Sequence, residues 1–154
     1  RRFALALAGQ KEAAEDLLHS AVERALRNWG TFQTGRRLDS WMFKIMQNQW
    51  IDTRRATAGV QLYNLDNADY LGEDGREVVE ARDEVRAARR AFETLSEEQR
   101  AVLTLVVLDD LSYAEAADAL DVPIGTIMSR LSRARAAMAA YLRRDTIVVV
   151  RKEN

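Results

Sequence analysis

The chain of 154 residues has no cysteine, one proline, one histidine and seven glycines. Each shortage excludes something. Without cysteine there is no disulfide framework and no thiolate chemistry, and the composition fits a reducing, cytoplasmic location. His19 is the sole histidine, and a lone helical histidine reads as a surface or packing residue. No phosphate-binding loop, metal-ligand spacing or catalytic triad is visible, so neither an enzyme nor a metal or other cofactor is expected. No apolar run approaches the ~20 residues needed to cross a bilayer, and no signal peptide is present, so no membrane insertion is expected. Charge of one sign is also missing. Lys and Arg number 23 and Asp and Glu 24, a formal charge of -1. Bulk charge therefore does not advertise a nucleic-acid partner, and the distribution of charge has to be read instead.

What is present is helical material. Hydrophobic residues make up 47% of the chain, enough for a packed core, and the abundance of alanine and leucine predicts an all-α fold. The most informative stretch is Leu111–Leu142. Ser112 followed by Glu115 has capping-box spacing and predicts a helix start. Tyr113, Ala116, Ala117 and Leu120 recur at helical spacing and are the expected buried face. Asp121-Val122-Pro123 breaks the pattern. A second helix follows from Ile124, with Ile127, Leu131, Ala134 and Met138 on one side and Thr126, Ser129, Arg130 and Arg133 on another. Two helices joined by a tight turn, the second fronted by small, hydroxyl and arginine residues, describe a helix-turn-helix.

Upstream, residues 1–8 predict a helix that the chain enters without a cap, and Gly9 ends it. A helix is expected from Lys11 to Trp29, with Leu17, Leu18, Ala21, Val22, Ala25, Leu26 and Trp29 as a broad apolar face. Residues 30–37 read as a loop. Leu38–Arg55 reads as a third helix with two stripes, one of Leu38, Trp41, Met42, Ile45 and Gln49, the other of Phe43, Gln47, Trp50 and Arg54. Basic residues interleaved with aromatics suit single-stranded nucleic acid; a buried aromatic core with a solvated basic edge explains this segment equally simply and is the commoner case. Residues 58–84 are glycine-containing and acidic and predict a flexible linker, with helix resuming near Glu77. Ser96 and Gln99 repeat the capping-box spacing ahead of a strongly apolar helix through Leu108. Thr146–Val150 is a short β-branched run whose role the pattern leaves open. The expected domains are 1–57 and 85–145, joined by the linker and followed by a tail, 146–154.

Between Ile124 and Arg144 the charged residues are Arg130, Arg133, Arg135, Arg143 and Arg144, all positive. A near-neutral total thus hides a basic helix and an acidic tether. Gly125, Thr126 and Ser129 beside the arginines would let a backbone come close to DNA.

These residues resemble bacterial sigma factors of the extracytoplasmic-function group. Ala14-Glu15-Asp16-Leu17 resembles the opening of the region that docks on the polymerase clamp. Phe32 through Trp41, with Ile45, Asn48, Asp52 and Arg55, resembles the region that melts and reads the minus-ten element. Leu95-Ser96 through Leu142, above all Gly125-Thr126-Ile127 and Ser129–Arg135, resembles the region that reads the minus-thirty-five element. The resemblance implies a dissociable specificity subunit of RNA polymerase, with two helical domains: a three-to-four-helix region 2 bundle and a region 4 helix-turn-helix. It implies duplex contacts from Pro123, Gly125, Thr126, Ser129, Arg130, Arg133 and Arg135, and single-strand contacts from Arg36, Arg37, Trp41, Lys44, Asn48, Trp50, Arg54 and Arg55. Clamp contacts fall on Glu15, Asp16, Leu17 and Ser20. Core polymerase, promoter DNA and an anti-sigma protein are the implied partners, and the acidic linker would lie in the polymerase's basic channel. Two departures stand out: His19, Ser20 and Ala21 replace the usual Gln-Glu-Thr-like residues, and Met128 replaces a usual lysine. They give some weight to the alternative, a sigma-like decoy that sequesters an anti-sigma protein without binding DNA. The retained Arg130, Arg133 and Arg135 argue against it. An ordinary helix-turn-helix repressor would leave the tryptophan-rich helix and the acidic linker unexplained.

Overall fold

The computed structural model describes the backbone of residues 1–57 and 79–152, and the side chains of 1–57 and 84–144. Every regular element among them is helical: α1 (Arg2–Ala8), α2 (Lys11–Arg27), a 3-10 turn (Trp29–Thr31), α3 (Leu38–Thr57), α4 (Val79–Glu93), α5 (Glu97–Leu103), a π-helical turn (Thr104–Leu108), α6 (Tyr113–Leu120) and α7 (Ile124–Lys152). Residues 58–78, most of the expected acidic linker, lie outside the described residues. The backbone of α7 continues through Thr146–Val150, whose side chains also lie outside the described ones.

The local signals explain where the helices begin and end. Gly9 adopts a left-handed φ of 75° and its N–H returns to the Leu5 carbonyl, closing α1. Both capping boxes form: Ser96 with Gln99 opens α5, and Ser112 with Glu115 opens α6. At the end of α6, Asp121 takes the left-handed conformation, φ 53°, and the Val122 N–H reaches back to the Ala117 carbonyl at 3.1 Å. That is a Schellman ending with aspartate where glycine is usual. Pro123 lends its carbonyl to Thr126 and Ile127 and needs no donor of its own at a helix start.

A single apolar cluster ties the two halves together. Phe3, Leu5 and Leu7 of α1, Leu17 of α2 and Met46 of α3 join Val102 and Leu105, Leu120, and Ile127 and Leu131 of α7. The α1 helix packs on α2 and α3 to one side and on α5 to the other, while α3 also packs on α6. Phe3 meets Phe43 edge-on, with ring centroids 5.1 Å apart. The buried Arg100 crosses the same boundary, its Nε donating to the Ala6 carbonyl at 3.0 Å and a terminal nitrogen to the Leu95 carbonyl at 2.9 Å.

Three expectations shift. The apolar helix after Ser96 is α-helical only to Leu103. The Asp109 N–H then pairs with the Thr104 carbonyl at 2.9 Å, five residues back, and this wider turn leaves Val107 and Leu108 exposed while Leu105 stays buried. On α2 the buried face is narrower than expected. Ala14, Leu17, Ala21 and Ala25 carry it, and Val22 and Leu26 are exposed; the helix ends at Arg27, so Trp29, also exposed, belongs to the 3-10 turn that follows. Tyr113, expected in the core, is exposed at the first position of α6.

Candidate nucleic-acid interface

The helix-turn-helix is built from α6 and the start of α7. Ile127, Leu131 and Ala134 are buried and fix the roll of α7. That roll leaves Gly125, Ser129 and Arg133 on the open side. Ser129 Oγ donates to the Thr126 carbonyl at 3.1 Å, and Arg133 donates to the Ser129 carbonyl and to Ser129 Oγ, both at 3.3 Å. The Arg133 side chain is thereby folded along its own helix face, with the rest of its donor set open to solvent. Arg130 sits on the flank toward α5, half-buried, paired with Glu98 at 3.0 Å. Pro123 and Arg135 are exposed and Thr126 is half-buried. A Cβ added at Gly125 would meet no heavy atom within 4 Å, so nothing inside the chain requires glycine there.

The second surface lies around the start of α3. The turn Gln33–Arg36 is closed by an N–H to carbonyl bond of 3.1 Å and places Gly35 at φ 99°, a conformation that side-chain-bearing residues rarely adopt. It leads into Arg36 and Arg37. Trp29, Phe32 and Trp41 form a ring cluster with centroids 5.3 to 6.1 Å apart, and Trp29 is 55% exposed. The rings Phe32 and Trp41, with Arg36, Arg37 and Lys44, line an open cleft of about 620 Å³ whose far wall is Ala114, Glu115 and Asp118 of α6. Flat faces beside cations suit unstacked bases and their phosphates. Arg37 forks onto Asp39 at 3.1 and 2.6 Å, and that pairing holds the Asp39 carboxyl below its ordinary range. Glu115 is also held low, chiefly by the Ser112 backbone N–H and hydroxyl of its capping box.

The other strand-reading candidates are spread along α3. Asn48, Arg54 and Arg55 are exposed. Trp50 is half-buried against the core, and its Nε1 donates to Glu97 at 2.8 Å. This indole therefore serves packing in the structure described. On α2, Glu15 and Asp16 are exposed, Glu15 pairing with Arg1 at 2.9 Å, and Ser20 is half-buried. Leu17 is a correction: it is buried in the core and can only anchor this surface, not touch a partner through it. Trp29 was missed as a member of the ring cluster. Its spacing of three from Phe32 is the one local signal that it faces the loop and not the core.

Sequence comparison agrees with this architecture. The Sigma-70 region 2 family model matches residues 1–59, and that of Sigma-70, region 4 matches residues 86–138. The helical unit with its ring cluster and the helix-turn-helix are thus the two halves of the sigma-70 plan. Among curated relatives, the ECF RNA polymerase sigma factor EcfG of Rhodopseudomonas palustris is 34% identical over 143 residues, covering 92% of this chain and 78% of the relative. The ECF RNA polymerase sigma factor SigW of Bacillus subtilis is 29% identical over 149 residues, covering 88% and 78%. The chain belongs to the ECF RNA polymerase sigma factors. Among solved structures, the sigma factor RpoE of Bartonella quintana, in complex with the anti-sigma factor NepR, matches with a TM-score of 0.75 at 28% identity, over 92% of this chain and 88% of that one. CnrH, in complex with the cytosolic domain of CnrY, shares the fold with a TM-score of 0.59 at 24% identity, over 92% and 82%. No helix among the described residues is long and apolar enough to cross a membrane.

Proposed function

We propose that this chain directs core RNA polymerase to promoters in the cytoplasm, reading the minus-thirty-five element with α7 and capturing the separated minus-ten strand at the Trp29–Lys44 surface. The observation that carries this reading is the pair of unlike surfaces on one chain. One is a helix front of small, hydroxyl and arginine residues, matched to a duplex groove. The other is a cleft of rings and cations, matched to unstacked bases. Arg133 and Arg135 supply positive charge along the groove, and Arg130 enters it from the flank once Glu98 releases it. Glu15 and Asp16 on the outer face of α2, beside the exposed Val22 and Leu26, form the polymerase-docking face. An anti-sigma protein is the fitting regulator, since RpoE of Bartonella quintana was captured with one.

The test is transcription from a promoter library by core polymerase supplemented with this chain, followed by sequencing of the transcripts. A shared two-element motif is expected. Arg130→Ala should then lower promoter affinity by about 1–3 kcal/mol and relax preference at one minus-thirty-five position. Transcripts without a motif, from a chain that still binds an anti-sigma protein, would establish the decoy reading instead.

A further inference from the structure

The open side of α7 carries an apolar feature that its arginines and serines do not explain. Buried Ile127, Leu131 and Ala134 fix the roll of the helix. At about 100° per residue, the side opposite them is centred on Gly125, Ser129, Ser132 and Ala136, and all four are exposed. Arg133 flanks this ridge on one side. Ile124, Met128 and Arg135 flank it on the other, at successive spacings of four and seven. Ile124 is 48% exposed and Met128 54%. Single exposed apolar residues are ordinary. These two, however, are neighbours on the leading turns of α7, the end that meets base edges in a helix-turn-helix. The polar groups beside them are engaged within the chain. Ser129 Oγ donates to the Thr126 carbonyl and accepts from Arg133, and Arg130 is turned to Glu98 on the flank.

We propose that Met128 is a specificity-determining residue of the duplex interface, reading the C5-methyl group of a thymine in the minus-thirty-five element, with Ile124 beside it shielding the contact from water. The proposal rests on the reading of α7 given above and says which base edge its leading turns meet. In the major groove, thymine alone among the four bases presents a methyl group, and apolar side chains contact it. A thioether chain is unbranched and adapts to the position of a small apolar group. A hydroxyl or guanidinium at this place would find partners on several bases and on phosphates. Met128 has no donor and only a weak acceptor, so it gains chiefly where apolar surface is offered. Arg135, two turns further along the same flank, is exposed, and no carboxylate lies between Ile124 and Arg144. The phosphates on that side are thereby met by a cation behind the apolar tip.

The experiment measures, by competition fluorescence anisotropy, the binding of duplexes carrying the minus-thirty-five motif from the promoter library to the full chain on core polymerase. Each thymine of the element, on either strand, is replaced in turn by deoxyuridine, which removes the methyl and keeps every hydrogen bond. This series needs no substitution in the protein. One such duplex should bind the parent about two- to fourfold more weakly, the loss expected for one buried methyl. In Met128→Ala that difference should vanish, and the thymine duplex should bind more weakly than it binds the parent. Met128→Lys should lose the difference too. It should instead bind motif and scrambled duplexes alike more tightly, with a salt dependence steeper by about 0.9 for one added phosphate contact. An element in which no uracil duplex differs from its thymine counterpart overturns the methyl assignment, as does a penalty that persists unchanged in Met128→Ala. Both results leave the grip of α7 on the motif in place. Should a scrambled duplex compete with the parent as well as the motif does, the minus-thirty-five reading of α7 itself fails and takes the assignment with it.

Discussion

Arg100 offers the sharpest test of how the two halves are held together. Its side chain is buried, 7% exposed, and bridges Ala6 at the end of α1 to Leu95 before α5. Ala6 lies in the last turn of α1, where carbonyls have no donor from their own helix, and it is 1% exposed, so water cannot serve as the substitute. Replacing Arg100 with methionine keeps much of the packing volume and removes the donors. A hydrogen bond from a charged donor contributes about 1.5–3 kcal/mol, and an orphaned buried acceptor costs about 1–3 kcal/mol. The two bonds share one guanidinium, and the variant is spared the desolvation of a buried charge, so they do not add in full. The net expectation is a loss of about 2–5 kcal/mol. For a chain of this size each kcal/mol moves the melting midpoint by about 2–4 °C, so the midpoint should fall by about 4–20 °C. Thermal unfolding followed by circular dichroism reads this directly. Arg100→Lys should fall between, because an ammonium lacks the planar fork that reaches both carbonyls. A methionine variant melting within about 2 °C of the parent would show that the crossing contributes packing alone.

Two further outcomes follow from the caps and the recognition helix. Ser112→Ala removes the hydroxyl half of the reciprocal cap of α6, leaving the backbone N–H bond that Glu115 accepts, and should cost about 1 kcal/mol at neutral pH, read by urea unfolding. Glu115 is held below its ordinary range by that cap, so its charge-linked stability is complete above the ordinary glutamate pKa, about 4.3, and is lost as pH falls through the depressed folded value. The gap between parent and Ser112→Ala should therefore narrow in acid, and a gap that widens refutes the linkage. Gly125→Ala has open space around it and should leave stability unchanged or raise it by up to about 1 kcal/mol. Its minus-thirty-five affinity should nevertheless fall, because the added methyl stands where the DNA backbone would approach. Unchanged affinity in a gel-shift titration would remove Gly125 from the interface.

The features legible in the sequence are those decided within a few residues. Ser96 with Gln99, Ser112 with Glu115, Gly9 and the Asp121-Val122-Pro123 break each settle their own backbone, and each stands where its spacing put it. What escaped depends on partners far along the chain. Val22 and Leu26 have the same helical spacing as buried residues, but the contact on α2 runs through alanines that let α1 and α3 come close. The π-helical turn has no local signature; Leu105 and the Leu111 N–H that reaches its carbonyl at 2.9 Å set it from within the core. The pairing of Trp50 with Glu97 spans 47 residues, and no pattern along α3 could announce it. The two stripes read along α3, one with Trp41 and one with Trp50, do go to different surroundings, but the pattern did not say which. Trp41 joins an accessible cluster, while Trp50 is held against the second half.

That division bears on why the chain is nearly neutral. A protein that reads particular nucleic-acid sites must not adhere to every polyanion, and unscreened cations bind nucleic acid without regard to sequence. Spreading the 23 basic residues evenly would not solve this, because specific reading needs several cations at one place. The structure brings Arg36, Arg37 and Lys44 to one cleft and sets Glu115 and Asp118 of α6 beside them. On the proposed reading, a strand of separated bases would gain stacking on Trp29, Phe32 and Trp41, a preference that phosphate pairing alone does not supply.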